Sequence, residues 1–307
     1  MSTKGTTAAG SADYSQHYLT LPIPEEVKLK TGVSVGLGES VVVVPSLASS
    51  IECSTLLSAA TGIVRGLDAS DKGTAPHRGE LNPGRTRLNI EDYFNEDVKA
   101  LCDAILIRVL DWVSLKLPEL KHGFFGKAVI DRCLGNSRFT FACGEPAINI
   151  YTAGGRFECH EDKQSLTILI PLSNPSDFDG GGTAFWGFDP EARAGSASTA
   201  RAAKREAEID PAFVLKPDAG SCILFGGTVT HAGQAVVRGE RGVFVCSLSL
   251  AKTEPDSSSE EDDKEDATTN ILREMRSAYE EEEEMWRDAC LDCTSSDEEE
   301  DHPKASR

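Results

Sequence analysis

The sequence predicts an α+β protein: a helical N-terminal part, an antiparallel β sandwich or barrel, and an acidic tail. Three observations carry this. Between Glu91 and Leu117, apolar residues recur at Val98, Leu101, Ile105, Leu106, Val109 and Trp112, the 3.6-residue period of an amphipathic helix. From Arg138 to Leu250, short β-rich runs alternate with Gly, Pro, Asn and Asp turns, the spacing of an all-β unit. Beyond Lys252 both patterns cease and acidic low-complexity sequence follows.

The elements follow in order. Residues 1–20 are expected to be disordered, since Met1 to Ser15 is rich in Ser, Thr, Gly and Ala. Residues 21–137 are expected to form a helical support region with an edge strand. That strand runs from Val33 to Ser46 around Val41-Val42-Val43-Val44 and is ended by Pro45. Ser46 or Ser49 caps a helix from Leu47 to Val64. Asp68 to Gly84, with Pro76 and Asn82-Pro83-Gly84, is a loop, and Arg85-Thr86-Arg87 continues it. Glu91 to Leu117 is a single long helix.

Residues 138–252 are expected to form the β domain. Its runs are Phe139–Cys143, Ala147–Tyr151, Arg156–His160, Leu166–Leu172, Gly182–Trp186, Phe213–Leu215, Ser221–Phe225, Gln234–Val237 and Gly242–Leu250. An Ala/Arg/Lys-rich insert from Gly187 to Pro211 contains a short helix, Ser198 to Glu208. Residues 253–307 form the disordered acidic C-terminal tail, with one helical stretch from Ile271 to Trp286. No internal repeat is present.

The chain has 307 residues and is 39% hydrophobic, enough to bury a core. Its net charge of −19 is uneven. Residues 253–307 hold 21 acids and 6 bases; the rest holds 29 acids and 25 bases. Such a tail repels phosphates, which disfavours nucleic acid as a partner, and suits basic proteins. The nine cysteines have no framework spacing, Met1 to Gln16 lacks an apolar signal core, and no apolar run nears the roughly 18 residues of a membrane span. These features imply an intracellular protein, cytoplasmic or nuclear, with free thiols and no membrane partner. Cys290-x-x-Cys293 has no second pair to complete a zinc site and reads as incidental. Ser257 to Ser259 and Ser295-Ser296, each followed by acids, suit acid-directed kinases.

The chemistry centres on His160-Glu161-Asp162. On a strand, residues i and i+2 share a face, so His160 and Asp162 point one way and Glu161 and Cys159 the other. An imidazole and a carboxylate side by side are two legs of a 2-His-1-carboxylate iron site. A distant histidine must supply the third. Of His17, His77, His122, His231 and His302, His231 has the suitable β-rich setting. Taken alone, His-x-Asp is more readily a surface ion pair, and a lone His231 a core histidine.

The order of motifs decides between these readings. His160-x-Asp162 is followed by Phe178-Asp179-Gly180-Gly181-Gly182-Thr183-Ala184-Phe185, then Pro217-x-x-Gly220, His231 and, ten residues on, Arg241. Over about Phe139 to Leu250 this pattern resembles the prolyl 4-hydroxylase-type iron(II)/2-oxoglutarate-dependent dioxygenases. The resemblance implies a double-stranded β-helix (jelly roll) packed on N-terminal helices, with His160, Asp162 and His231 as iron ligands. It implies that Arg241 holds the distal carboxylate of 2-oxoglutarate, a role suited to a permanently charged, planar fork. Tyr151 matches a cosubstrate-binding tyrosine, and Thr167 on the next strand is a further candidate donor. Ile170-Pro171-Leu172 stands where relatives often carry Tyr-Leu, which removes one tyrosine donor. Arg85 and Arg87 fall in a loop that lies near the active-site mouth in relatives.

By this resemblance Fe(2+), 2-oxoglutarate and O2 are the cofactors, with ascorbate as an accessory reductant. The implied reaction hydroxylates a peptidyl (including prolyl) or small-molecule substrate, with succinate and CO2 as co-products. A carboxylate ligand favours hydroxylation over halogenation. Two rivals stand beside it: an inactive jelly roll serving as an interaction module, and a nucleic-acid-modifying oxygenase. Linked binding of metal and cosubstrate analogue separates out the first, and a basic cleft would mark the second. The catalytic reading requires the rings of His160 and His231 within about 6 Å, since metal bonds are near 2 Å.

Overall fold

Alternation along the strands sorts side chains between two cores, and this sorting builds the molecule. The computed structural model describes residues 18–20, 40–67, 84–118, 120, 133–134, 139–162, 164–186 and 210–250. Of the expected disordered N-terminus, residues 1–17 lie outside these residues, whereas Tyr18–Thr20 form a strand paired with Ser40–Val42; the insert helix, the acidic tail with its helical stretch, Cys290, Cys293 and the serine sites also lie outside.

The strands are β1 (Tyr18–Thr20), β2 (Ser40–Val44), β3 (Arg85–Asn89), β4 (Phe139–Phe141), β5 (Ala147–Tyr151), β6 (Phe157–His160) and β7 (Leu166–Pro171). They continue as β8 (Phe178–Gly180), β9 (Thr183–Phe185), β10 (Phe213–Leu215), β11 (Cys222–Phe225), β12 (His231–Gly233), β13 (Val236–Gly239) and β14 (Arg241–Leu250). Among the described residues a major sheet runs β1-β2-β11-β7-β14-β5-β3, with β4 beside β14; a minor sheet runs β10-β9-β12-β6. From β5 onward the chain passes back and forth between the sheets: β5 major, β6 minor, β7 major, β9 and β10 minor, β11 major, β12 minor, β14 major. This double winding of antiparallel strands is a jelly roll.

One face of the major sheet meets helices; the other meets the minor sheet. Val42, Val44, Ile148, Ile150, Ile168, Ile170, Phe244 and Cys246 point to the helices. Their neighbours Val41, Val43, Ala147, Leu169, Val243 and Val245 point into the roll, beside Phe185 and Leu215. A sheet covered on both faces reads as a continuous apolar run, which explains Val41 to Val44. Phe244 is fully buried, and truncating it to alanine would cost about 3–5 kcal/mol.

Helix α1 (Ser50–Gly66) begins at Ser49, one of the two expected caps. The Ser49 hydroxyl accepts from the Glu52 N–H at 3.2 Å, and the Glu52 carboxylate accepts from the Ser49 N–H at 2.7 Å. The expected single helix from Glu91 to Leu117 is instead two, α2 (Ile90–Tyr93) and α3 (Glu96–Lys116). Phe94 is extended (φ −119°, ψ 150°), and Asn95 caps α3 by accepting from Val98 N–H at 3.1 Å. The apolar period ran through the break because Ile90 and Phe94 are also buried.

A second expectation also fails. Arg85-Thr86-Arg87 is not loop but part of β3, paired with β5 at the edge of the major sheet. Its alternation is disguised: Thr86 and Leu88 are buried, and the arginines occupy the opposite face. Strands β1, β8 and β12 were not expected. No helix among the described residues is long and apolar enough to cross a membrane.

Candidate metal and cosubstrate site

His160 closes β6 and His231 opens β12, and sheet register makes them direct partners. Seventy residues of sequence thus collapse to a ring-centroid distance of 4.3 Å, inside the limit the catalytic reading requires. Asp162 lies two residues past His160. Its carboxylate is 3.1 Å from His160 Nε2 and 3.5 Å from His231 Nε2. One donor atom from each residue lies within 4.8 Å of the others, which suits a single octahedral ion with bonds of about 2 Å.

The shell around the three fixes their orientation. His160 Nδ1 lies 2.8 Å from the Glu158 carbonyl, and His231 Nδ1 lies 2.9 Å from the Val229 carbonyl. Each Nδ1–H therefore donates to the backbone and leaves Nε2 facing the centre. Thr167, on β7, donates its hydroxyl to Asp162 Oδ2 at 2.6 Å and lies 3.3 Å from Ser247 Oγ. Burial pushes His231 down to about 4, so its imidazole is neutral at physiological pH. Burial alone would raise Asp162, but His231, His160 and Thr167 outweigh it and hold the carboxyl well below its usual range. Burial would lower His160, yet its bond to Asp162 raises it. Cys159 points away, packed with Ala184, Trp186 and Ala232.

These residues line a cavity of about 370 Å³, within the range of small-molecule sites. Arg241, on β14, also lines it and is only 5% exposed. Its guanidinium donates to Thr183 Oγ1 at 3.0 Å and sits 5.2 Å from the Tyr151 ring centre. No carboxylate among the described residues pairs with it. Gly181 has φ +61°, and a Cβ there would meet the Phe178 ring at 2.9 Å and Arg241 Cδ at 3.3 Å. The glycine run is therefore the roof over the arginine.

Of the sequence candidates, His160, Asp162, His231, Arg241 and Tyr151 share this cavity, whereas Thr167 lies behind Asp162 and is fully buried. Thr183, Asn149 and Glu145 are among the lining groups that carried no role in the sequence reading. Thr183 receives Arg241. Asn149 sits two residues before Tyr151 on the same face, and its Oδ1 is buried without a partner among the described residues. That alternation in Ala147-Ile148-Asn149-Ile150-Tyr151 was the signal available for it. Arg87 and Glu145 form a buried pair at 2.6 Å, and Glu145 also accepts from Ser247 N–H.

No family model matches the chain. It is 32% identical over 152 residues to a PKHD-type hydroxylase of Pseudomonas fluorescens strain ATCC BAA-477 (Pf-5), covering 42% of this chain and 56% of that protein. A PKHD-type hydroxylase of strain Pf0-1 is 29% identical over the same coverage. The chain is related in sequence to PKHD-type hydroxylases. It spans little more than half the length of these curated relatives. Among solved structures, a viral collagen prolyl hydroxylase from Paramecium bursaria Chlorella virus-1 aligns with 71% of this chain and 99% of its own. It shares 18% identity at a TM-score of 0.42. A Pseudomonas putida prolyl-4-hydroxylase aligns with 72% of this chain and all of its own, at 13% identity and a TM-score of 0.40.

Proposed function

We propose that this protein is an iron(II)- and 2-oxoglutarate-dependent dioxygenase that hydroxylates a peptidyl or small-molecule substrate and releases succinate and CO2. The observation that carries the reading is Arg241, a buried guanidinium without a carboxylate partner among the described residues, in the cavity lined by His160, Asp162 and His231. A buried charge is costly unless paired, and a dicarboxylic acid would supply the missing anion. The sequence relationship to PKHD-type hydroxylases supports the same conclusion.

His160 Nε2, one Asp162 oxygen and His231 Nε2 would hold the iron. Bound there, iron supplies oxidative decarboxylation of 2-oxoglutarate and oxygen transfer to a C–H bond. The chain's own residues position and shield. The Glu158 and Val229 carbonyls keep both imidazoles in the ligating tautomer. Thr167 holds Asp162 from behind. Arg241 would grip the distal carboxylate in a fork, and Thr183, which accepts from Arg241, keeps its hydroxyl proton for that carboxylate. Tyr151 offers a hydroxyl with no protein partner among the described residues. Leu169, Val243 and Val245 line the floor and exclude water.

The test is succinate formation that requires both iron and 2-oxoglutarate and vanishes in Asp162→Ala. The reading fails if folded wild-type protein binds neither manganese nor the inert analogue N-oxalylglycine in calorimetric titration.

A further inference from the structure

Arg85, Tyr151 and Arg241 form one cross-strand row. Tyr151 is the register partner of Arg241 on β14 and of Arg85 on β3. All three line the cavity. Two guanidinium groups thus flank one tyrosine on one wall, with neighbouring strands about 5 Å apart. The proposed cosubstrate requires only Arg241.

Arg85 is the remaining cation. Its Cζ stands 4.1 Å over the Phe157 ring centre, and Phe157 in turn packs on His160 at 4.3 Å between centroids. A guanidinium carries five donors, and those of Arg85 meet no acceptor among the described residues. The surrounding carboxylates are taken: Glu145 by Arg87 at 2.6 Å and Glu158 by Arg156 at 2.9 Å. Arg85 is partly buried, and burial lowers its proton affinity. Its place is built into the backbone. Gly84 and Gly155 approach so closely that a Cβ on Gly84 would lie 2.3 Å from Gly155 N, and Thr152 N–H donates to Gly84 O at 2.8 Å. This contact fixes the start of β3 over the turn between β5 and β6.

A partly buried fork that lines the cavity, and that is hydrogen-bonded to no carboxylate among the described residues although Glu158 lies near enough to favour its charge, is suited to be a second carboxylate site. We propose that Arg85 recognises a carboxylate on the substrate, so that the substrate class is an acidic peptide or a small carboxylic acid. A single planar fork suits a carboxylate held through two parallel hydrogen bonds. The Phe157 face holds the guanidinium from one side and leaves its edge to the ligand. The anion would lie across Tyr151 from the cosubstrate, next to the ring that covers His160. This inference rests on the dioxygenase reading, because that reading assigns Arg241 elsewhere.

The experiment uses the full chain loaded with manganese and N-oxalylglycine, so that the Arg241 site is filled. Two probe sets are offered in affinity selection read by mass spectrometry. One is capped tetrapeptides containing Glu or Asp, mixed with their Gln or Asn counterparts. The other is small monocarboxylic acids mixed with their primary amides. The expected result is at least a tenfold preference for the acid over its amide in one set, and that set identifies the source of the carboxylate. Arg85→Gln abolishes the preference; Arg85→Lys, which keeps the charge but not the fork, retains part of it. Thermal melts check that both variants fold. No preference in either set, or a preference unchanged in Arg85→Gln, overturns the inference. If wild-type protein fails to take up N-oxalylglycine with manganese, the dioxygenase reading itself has failed. Binding of the analogue without acid preference removes only the role of Arg85.

Discussion

At the scale of single residues the site is a set of unfinished interactions. His160, Asp162 and His231 finish one another only partly: two nitrogen lone pairs and a carboxylate face a common centre, each held from behind by a carbonyl or by Thr167. Arg241 is less complete: it donates to one Thr183 oxygen and stands over the Tyr151 ring, with no carboxylate partner among the described residues. The consequence is measurable. Arg241→Gln removes charge-assisted hydrogen bonds worth about 3 kcal/mol, a factor of about 100 in binding. The KM for 2-oxoglutarate should therefore rise about 100-fold, with kcat at saturation changed much less, because the arginine lies away from the reacting carbon. Steady-state succinate assays on both proteins check this. A KM unchanged in the variant would remove Arg241 from the cosubstrate site.

At the scale of elements, the ends matter more than the middles. Helix α1 is anchored by Ser49 and by the Glu52–Arg108 pair at 2.8 Å, which ties it to α3. Arg108 also donates to the Leu47 carbonyl at 2.7 Å. The bond from Arg108, against a smaller opposing effect of burial, lowers Glu52 from its ordinary 4.5 to about 2. A carboxylate whose folded value is depressed contributes stability above its unfolded value and loses it as pH falls. Wild-type protein should then exceed Glu52→Gln by about 1 kcal/mol at pH 7, a size typical of a partly exposed pair with a cap. The difference should shrink between about pH 4.5 and pH 2, as read from urea titrations across that range; a pH-independent difference would show that the charge of Glu52 contributes nothing to stability. The same scale explains what could be read in advance. The bounds of β5 and β10 were legible because apolar runs end there at turn residues or polar positions. That His160, Asp162 and His231 would meet was legible from motif order along the chain. Strand β12, only His231-Ala232-Gly233, was not, because it is held by pairing with β6 and β9 on both sides rather than by its own composition. Thr183, Asn149 and Glu145 reach the cavity from three different segments, so no local spacing announces them. That Arg85 and Arg87 lie on a strand rather than a loop was hidden because this strand turns charge, not apolar surface, toward the interior of the roll.

At the scale of the whole molecule the governing quantity is charge. The chain carries −19, of which −15 belongs to residues 253–307, while the proposed cosubstrate is a dianion. A net negative field lowers the local concentration of an anion near the cavity, and salt suppresses the field. The screening length is about 30 Å at 0.01 M salt and about 3 Å at 1 M, so the effect belongs to low ionic strength. A protein ending at Lys252 retains all the described strands and carries only −4. Its kcat/KM for 2-oxoglutarate should exceed that of the full chain by about threefold in dilute buffer, a modest steering effect. The two values should converge as salt is raised, with kcat and thermal midpoint equal throughout. Rates measured across a sodium chloride series decide the matter. If the two proteins track each other at every ionic strength, the tail's charge does not act on the cavity, and its function must be sought with basic partners instead.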